Sequence, residues 1–247
     1  MNLKSLIAVA AIAATGSALA AYESPVKLCQ IKLETASTNA IIALPLVNVG
    51  STTANPTNYV LKTGLVANDF LYASYGEKKL GWKIDSNGEW EPVRVTVDGV
   101  TYEPGTSLDR GTGVWLKRQS KTAPVYLYGQ IATNAVTSTA TGKGFTMMGN
   151  PKTSNVTLQS LTWDPAPSEG DEIEILTDEN AFGAVTYTWM KPSAEASACW
   201  CSETLNTETW DIDVTVAPSI VLKPGEGFWY RNTNSSNNPT INWGAGE

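Results

Sequence analysis

Histidine is absent from this chain of 247 residues. That absence removes Ser-His-Asp and Cys-His nucleophilic chemistry and every zinc site built on imidazole. Cysteine is scarce: Cys29, Cys199 and Cys201 are the whole supply. Two of them stand at Cys-x-Cys spacing, which is not the Cys-x-x-Cys of a thiol redox pair. Charge is sparse too, at 17% of residues, and acidic in balance, with a formal net charge of −7. Such a chain repels phosphate backbones and anionic lipid, so nucleic acid and charged membrane surfaces are not expected partners. Beyond the first twenty residues no apolar run is long enough to cross a bilayer as a helix, so no membrane insertion is expected.

The N-terminus explains where the chain goes. Lys4, the apolar run from Leu6 to Ala14 and the small-residue site Ala18-Leu19-Ala20 form the n-region, h-region and cleavage site of a secretory signal peptide. The expected location is periplasmic, cell-surface or secreted. Export implies an oxidising compartment, in which one disulfide is expected. Along a strand Cys199 and Cys201 would share a face, and a bridge between them would be strained. The preferred pairing takes Cys29 to one of the two and leaves one thiol over. No metal site and no cofactor are expected.

What the chain does contain is a repeat. Gly111-Thr112-Gly113-Val114-Trp115-Leu116-Lys117 returns as Gly225-Glu226-Gly227-Phe228-Trp229-Tyr230-Arg231, 114 positions later. A period of that length indicates two copies of a domain-sized unit rather than a short solenoid repeat. Short alternating runs rich in Thr, Val, Tyr and Trp, broken by Gly, Pro, Asn and Asp, predict an all-β fold. The expectation is two tandem homologous antiparallel units, each a sandwich or barrel-like sheet, packed into one body or standing apart. Residues 21–121 form the first unit, 122–140 a connecting segment, 141–232 the second unit and 233–247 a polar tail. Asp85-Ser86-Asn87-Gly88 and Asp98-Gly99 predict hairpin turns. Asn55-Pro56 is aligned with Asn150-Pro151, Asn68-Asp69 with Gly170-Asp171, and Trp82 with Trp189.

Two stretches carry a resemblance. Val26-Lys27-Leu28-Cys29-Gln30-Ile31 opens the first unit, and Pro224-Gly225-Glu226-Gly227-Phe228-Trp229 closes the second, with Asn-Pro segments between. In these the chain resembles a group of exported bacterial β-repeat proteins of unassigned activity. The resemblance implies export and a β fold, and no site residues.

Gly-x-Gly before a strand is not a dinucleotide fingerprint, which needs a third glycine and a following helix. Its expected job is a turn that launches the strand. Nine tryptophans are first of all core filling. Alternation nevertheless sets Trp115 beside Lys117 and Trp229 beside Arg231 on one strand face, a basic-aromatic pair in each unit suited to stacking on sugar rings. Trp90, between Glu89 and Glu91, is a further partly exposed contact. Asp171, Glu172, Glu174, Asp178, Glu179, Asp211 and Asp213 supply carboxylates for a glycosidase, which needs two of them facing one cleft. Any acidic β protein shows as many. The favoured reading is an exported, non-enzymatic structural or adhesive protein of the envelope or extracellular matrix, with polysaccharide or other envelope proteins as partners. A glycan-binding module is the alternative, and a carboxylate-based polysaccharide hydrolase stands third.

Overall fold

The computed structural model describes residues 28–33, 39–47, 64–75, 78–97, 99–120, 124–176, 184–217 and 220–244. The stretch expected to be a signal peptide, Asn55-Pro56, Asp98 of the second predicted turn and Asp178-Glu179 lie outside them. The regular structure of the described residues is β-strand, apart from a 3-10 turn at Leu158–Ser160.

The first half runs β1 (Leu28–Leu33), β2 (Asn39–Ala43), β3 (Leu46–Val47), β4 (Phe70–Tyr75), β5 (Lys78–Ile84), β6 (Trp90–Pro92), β7 (Val95–Val97), β8 (Val100–Pro104), β9 (Gly113–Lys117) and β10 (Val125–Ile131). The second runs β11 (Val136–Thr139), β12 (Gly144–Gly149), β13 (Val156–Thr157), β14 (Thr162–Trp163), β15 (Glu172–Leu176), β16 (Ala184–Met190), β17 (Cys199–Leu205), β18 (Ile212–Val216), β19 (Val221–Leu222), β20 (Gly227–Asn232) and β21 (Thr240–Gly244). Each half makes a three-stranded sheet, in the order β1-β10-β3 and β11-β21-β14. Each also makes a long sheet, β2-β9-β4-β5-β8-β7 with β6 on β5, and β12-β20-β15-β16-β17-β18. The long sheets therefore begin with the same strand order. The predicted hairpins form: Ile84 pairs with Trp90 across the first turn and Val97 with Val100 across the second. At the first, the Asp85 carboxylate accepts the N–H groups of Asn87 and Glu89, both at 2.8 Å.

Alternation decides what each strand buries. In β9, Val114 and Leu116 turn inward with Ile42, Leu71 and Trp82, and meet Ile31, Val125 and Leu127 from the short sheet. In β20, Phe228 and Tyr230 do the same with Ile173 and Trp200, against Val136, Ile241 and Trp243. Each half thus closes its own sandwich core, at a gain of about 25 cal/mol for each Å² of apolar surface removed from water.

The acidic turns correspond closely. Asn68 and Gly170 both adopt positive φ, 69° and 86°, and each is followed by a fully buried aspartate, Asp69 or Asp171. Asp69 accepts the N–H of Val66 at 2.9 Å and of Gln119 at 2.6 Å. Asp171 accepts the N–H of Ser168 and of Thr233, both at 2.8 Å. It also takes the Tyr230 hydroxyl at 2.6 Å. Burial, and then that bond, push the Tyr230 phenol well above its ordinary range. Both carboxylates tie a turn to the end of the closing strand.

Register corrects several sequence expectations. The connecting segment 122–140 contains β10 and β11, which belong to the short sheets of the first and second halves. The polar tail contains β21, whose Ile241 and Trp243 are buried and which lies in the middle of its sheet rather than at an edge. Pairing of Ala43 with Gly113, and of Gly149 with Gly227, sets Asn150-Pro151 against Leu44-Pro45, not Asn55-Pro56. Ladder pairing likewise matches Trp189 to Ile84 and Trp200 to Trp90. Loops of unequal length shifted these alignments by residues that a motif search cannot see.

Candidate functional site

The Gly-x-Gly motif does two things. Gly111 and Gly225 make the expected turn, at φ of 83° and 74°. Gly113 and Gly227 are there because the other half of the molecule sits on them. A Cβ on Gly227 would come within 2.6 Å of Ile41 Cγ2 and 2.8 Å of the Ile41 carbonyl carbon. One on Gly113 would come within 2.7 Å of the backbone of Met147 and Met148. The two halves exchange roles across this contact. Ala43 N donates to Gly225 O at 2.9 Å, and its counterpart Gly149 N donates to Gly111 O at 3.2 Å. Isolated bridges join Ile42 to Glu226 and Met148 to Thr112. The joined halves form one body.

This crossing decides where the tryptophans go. Trp115 and Trp229 each lie two residues past the contact glycine, on the same strand face, and the approach of the sheets brings their rings together. The centroids are 6.1 Å apart at 45°, and both residues remain partly exposed. The structure therefore brings into one place two tryptophans that the sequence assigned to separate candidate surfaces. Phe145, 56% exposed, meets Trp229 edge-on at 5.7 Å. On the other side Trp115 stands opposite Tyr72, which stacks on Phe70 at 5.6 Å and contacts Tyr102 at 4.9 Å. Six aromatic side chains thus run across both halves.

Lys117 and Arg231 sit at the same positions relative to this strip, both exposed. Arg231 is held by Glu172 at 2.6 Å, while Lys117 lies opposite Phe70. A groove of about 630 Å³ begins at Phe145 and runs between β11 and β12. Hydroxyl side chains line it, among them Ser74, Thr112, Thr137, Thr139 and Thr146. An aromatic surface beside a row of hydroxyl donors and acceptors can stack on a sugar ring and hydrogen-bond its substituents.

Other expected residues fall elsewhere. Trp90 is buried at 5% exposure within the first core, because its strand turns that side chain toward Trp82 and Ile84, so it is no surface contact. Cys29 stands on β1 opposite Gly129. Cys199 and Cys201 lie on β17 and are both free thiols, so the expected bridge from Cys29 is not formed. Their sulfurs are 3.7 Å apart. Burial and the neighbouring Cys199 push the Cys201 thiol up to about 11. Glu172 and Glu174 share the outer face, with Glu172 committed to Arg231. Among the described residues no three acidic or thiol groups converge on a metal position, and no helix is long and apolar enough to cross a membrane.

Sequence reasoning missed Phe145, Phe70, Tyr72 and Tyr102. Phe145 had a signal in Phe145-Thr146-Met147, an alternating run ahead of Gly149. The other three become part of the site only through pairing with β9 and β5.

Comparison of the chain with models of protein families, with curated proteins and with solved structures finds no match to any of them.

Proposed function

We propose that this chain is an exported, non-enzymatic adhesive protein of the cell envelope or extracellular matrix, and that it holds glycan on the aromatic strip shared by its two units. The observation that carries this reading is the meeting of Trp115 and Trp229 at 6.1 Å on a partly exposed face. Two rings from equivalent positions, splayed at an angle, offer successive stacking surfaces to a chain of sugars. Lys117 and Arg231 flank them, and the hydroxyl-lined groove continues the surface. In this reading the halves are copies of one ancestral unit, and doubling that unit assembled the site. The hydrolase reading has less support, since Asp171 is engaged in the corner and Glu172 in an ion pair.

The test is binding of the chain from Ala21 to Glu247 to a panel of soluble and insoluble polysaccharides, followed by tryptophan fluorescence. Saturable binding that Trp115→Ala and Trp229→Ala each weaken by about tenfold or more, with the fold intact, is the expected outcome. Absence of binding across the panel, with the same variants unfolding, would leave a purely structural role.

A further inference from the structure

Among the described residues the long sheet of the second half ends in an open edge at β18. We propose that this edge pairs with its counterpart on a second copy of the chain, so that two molecules share one continuous antiparallel sheet.

The atoms that face outward follow from the hairpin. β17 and β18 pair from Cys201 with Val216 to Leu205 with Ile212. Just beyond those ends, Asn206 N donates to Asp211 O and Ala217 N donates to Trp200 O. Bonded and non-bonded pairs alternate along an antiparallel ladder, so Asp213 and Thr215 bond inward to β17. Ile212, Val214 and Val216 then turn their N–H and C=O groups to the open side. The same residues make the edge apolar, with Ile212 61% and Val216 53% exposed, and Leu205 beside Ile212 at 52%. An open apolar edge is a template for another strand. No proline or lysine interrupts residues 212–216.

One two-fold register suits this strand. An axis through Val214 sets Ile212 opposite the partner's Val216 and Val214 opposite itself, all in bonded pairs. Asp213 then faces the partner's Thr215, a hydroxyl donor, in the close non-bonded position. An axis one residue earlier would set Asp213 against its own copy, carboxylate against carboxylate. The edge therefore carries both the attraction for a second copy and the means to choose its register. An adhesive protein joined in this way presents two aromatic strips, and linked sites raise avidity without new contacts.

Sedimentation of the full chain, from about 1 μM to about 1 mM, tests the pairing. A concentration-dependent dimer is expected. Thr215→Asp places two carboxylate pairs across the axis and should weaken the dimer by about tenfold or more. Thr215→Lys, which gives Asp213 a cation on the partner, should tighten it. Asp213→Lys combined with Thr215→Asp should restore it. Both positions are exposed, and circular dichroism checks that the fold is kept. A monomer at every concentration overturns the proposal, as does a dimer indifferent to these changes or one weakened by Thr215→Lys.

Discussion

The two halves of the molecule mount different chemistry on similar strand orders. Around Trp115 the first unit places Tyr72, Phe70 and Tyr102, and around Trp229 the second places Glu174, Glu172 and Arg231. The frame itself hardly differs. Gly113 and Gly227, Ile41 and Met147, Ala43 and Gly149 occupy equivalent places in the crossing of the sheets, and Asp69 and Asp171 tie the same corner. Positions that set backbone approach have no room to vary, because interiors are close-packed and a single added carbon is felt. Of the positions beside the tryptophans, Tyr72 is buried, whereas Phe70, Tyr102, Glu172, Glu174 and Arg231 are at least partly exposed and can change sign or polarity at lower cost.

The strongest way to break the comparison is through the corner acids. Asp69→Ala and Asp171→Ala should each cost about 3–5 kcal/mol by urea denaturation, since each removes the acceptor of several part-buried or buried donors and Asp69 also favours the charge of the buried Arg118. A cost below about 1 kcal/mol in either one would mean that the two corners do different work. Next come the contact glycines. Gly113→Ala and Gly227→Ala should each lose about 2–3 kcal/mol by overpacking against the opposite half. Gly88→Ala, in an open hairpin turn at φ 79°, should lose only about 1 kcal/mol. Unequal losses at Gly113 and Gly227 would show that the crossing is not an exchange of equivalent roles.

The divergent positions sharpen the comparison by function. Phe70→Ala should lower glycan affinity about fivefold, while Glu172→Ala stays within about twofold, because stacking area outweighs a rim charge. Titration of the same variants with one oligosaccharide decides it, and the reverse ranking would move the site onto the second unit. The smallest effect concerns the thiol. Where the first unit has Glu91, paired with Lys83 at 2.9 Å, the second has Cys201. The folded pKa of Cys201 is raised from 9.0 to about 11, so the fold favours the neutral thiol. That stability is fully present below pH 9 and is lost as pH rises toward 11. Denaturation midpoints measured across this range should fall, and the fall should shrink in Cys201→Ala.

Much of the fold was readable in the residues. The β class, both hairpins, the closing strand and its repeat follow from alternation and turn chemistry that act within a few residues. The site was half readable. Trp115, Lys117, Trp229 and Arg231 were found as a pattern, yet nothing local marked Phe70 or Tyr72, whose partners are supplied by strands far away in sequence. Trp90 looked open between two glutamates, and only the ladder of β5 and β6 turns it inward. The places of β10 and β21 as the middle strands of the short sheets are set by partners far away in sequence, so 122–140 and 233–247 did not show by themselves which half they complete.

By itself the sequence determined which chemistry was available: no imidazole, two Gly-x-Gly-apolar-Trp strands, and side chains alternating between two faces. Those are properties of single residues and their spacing, set by backbone geometry over a few bonds. Tertiary structure alone decided that the two tryptophans meet. That depends on two glycines in different halves each admitting the other half's backbone to within contact distance, and contact between residues 114 positions apart is settled only when both sandwiches are complete and pack against one another.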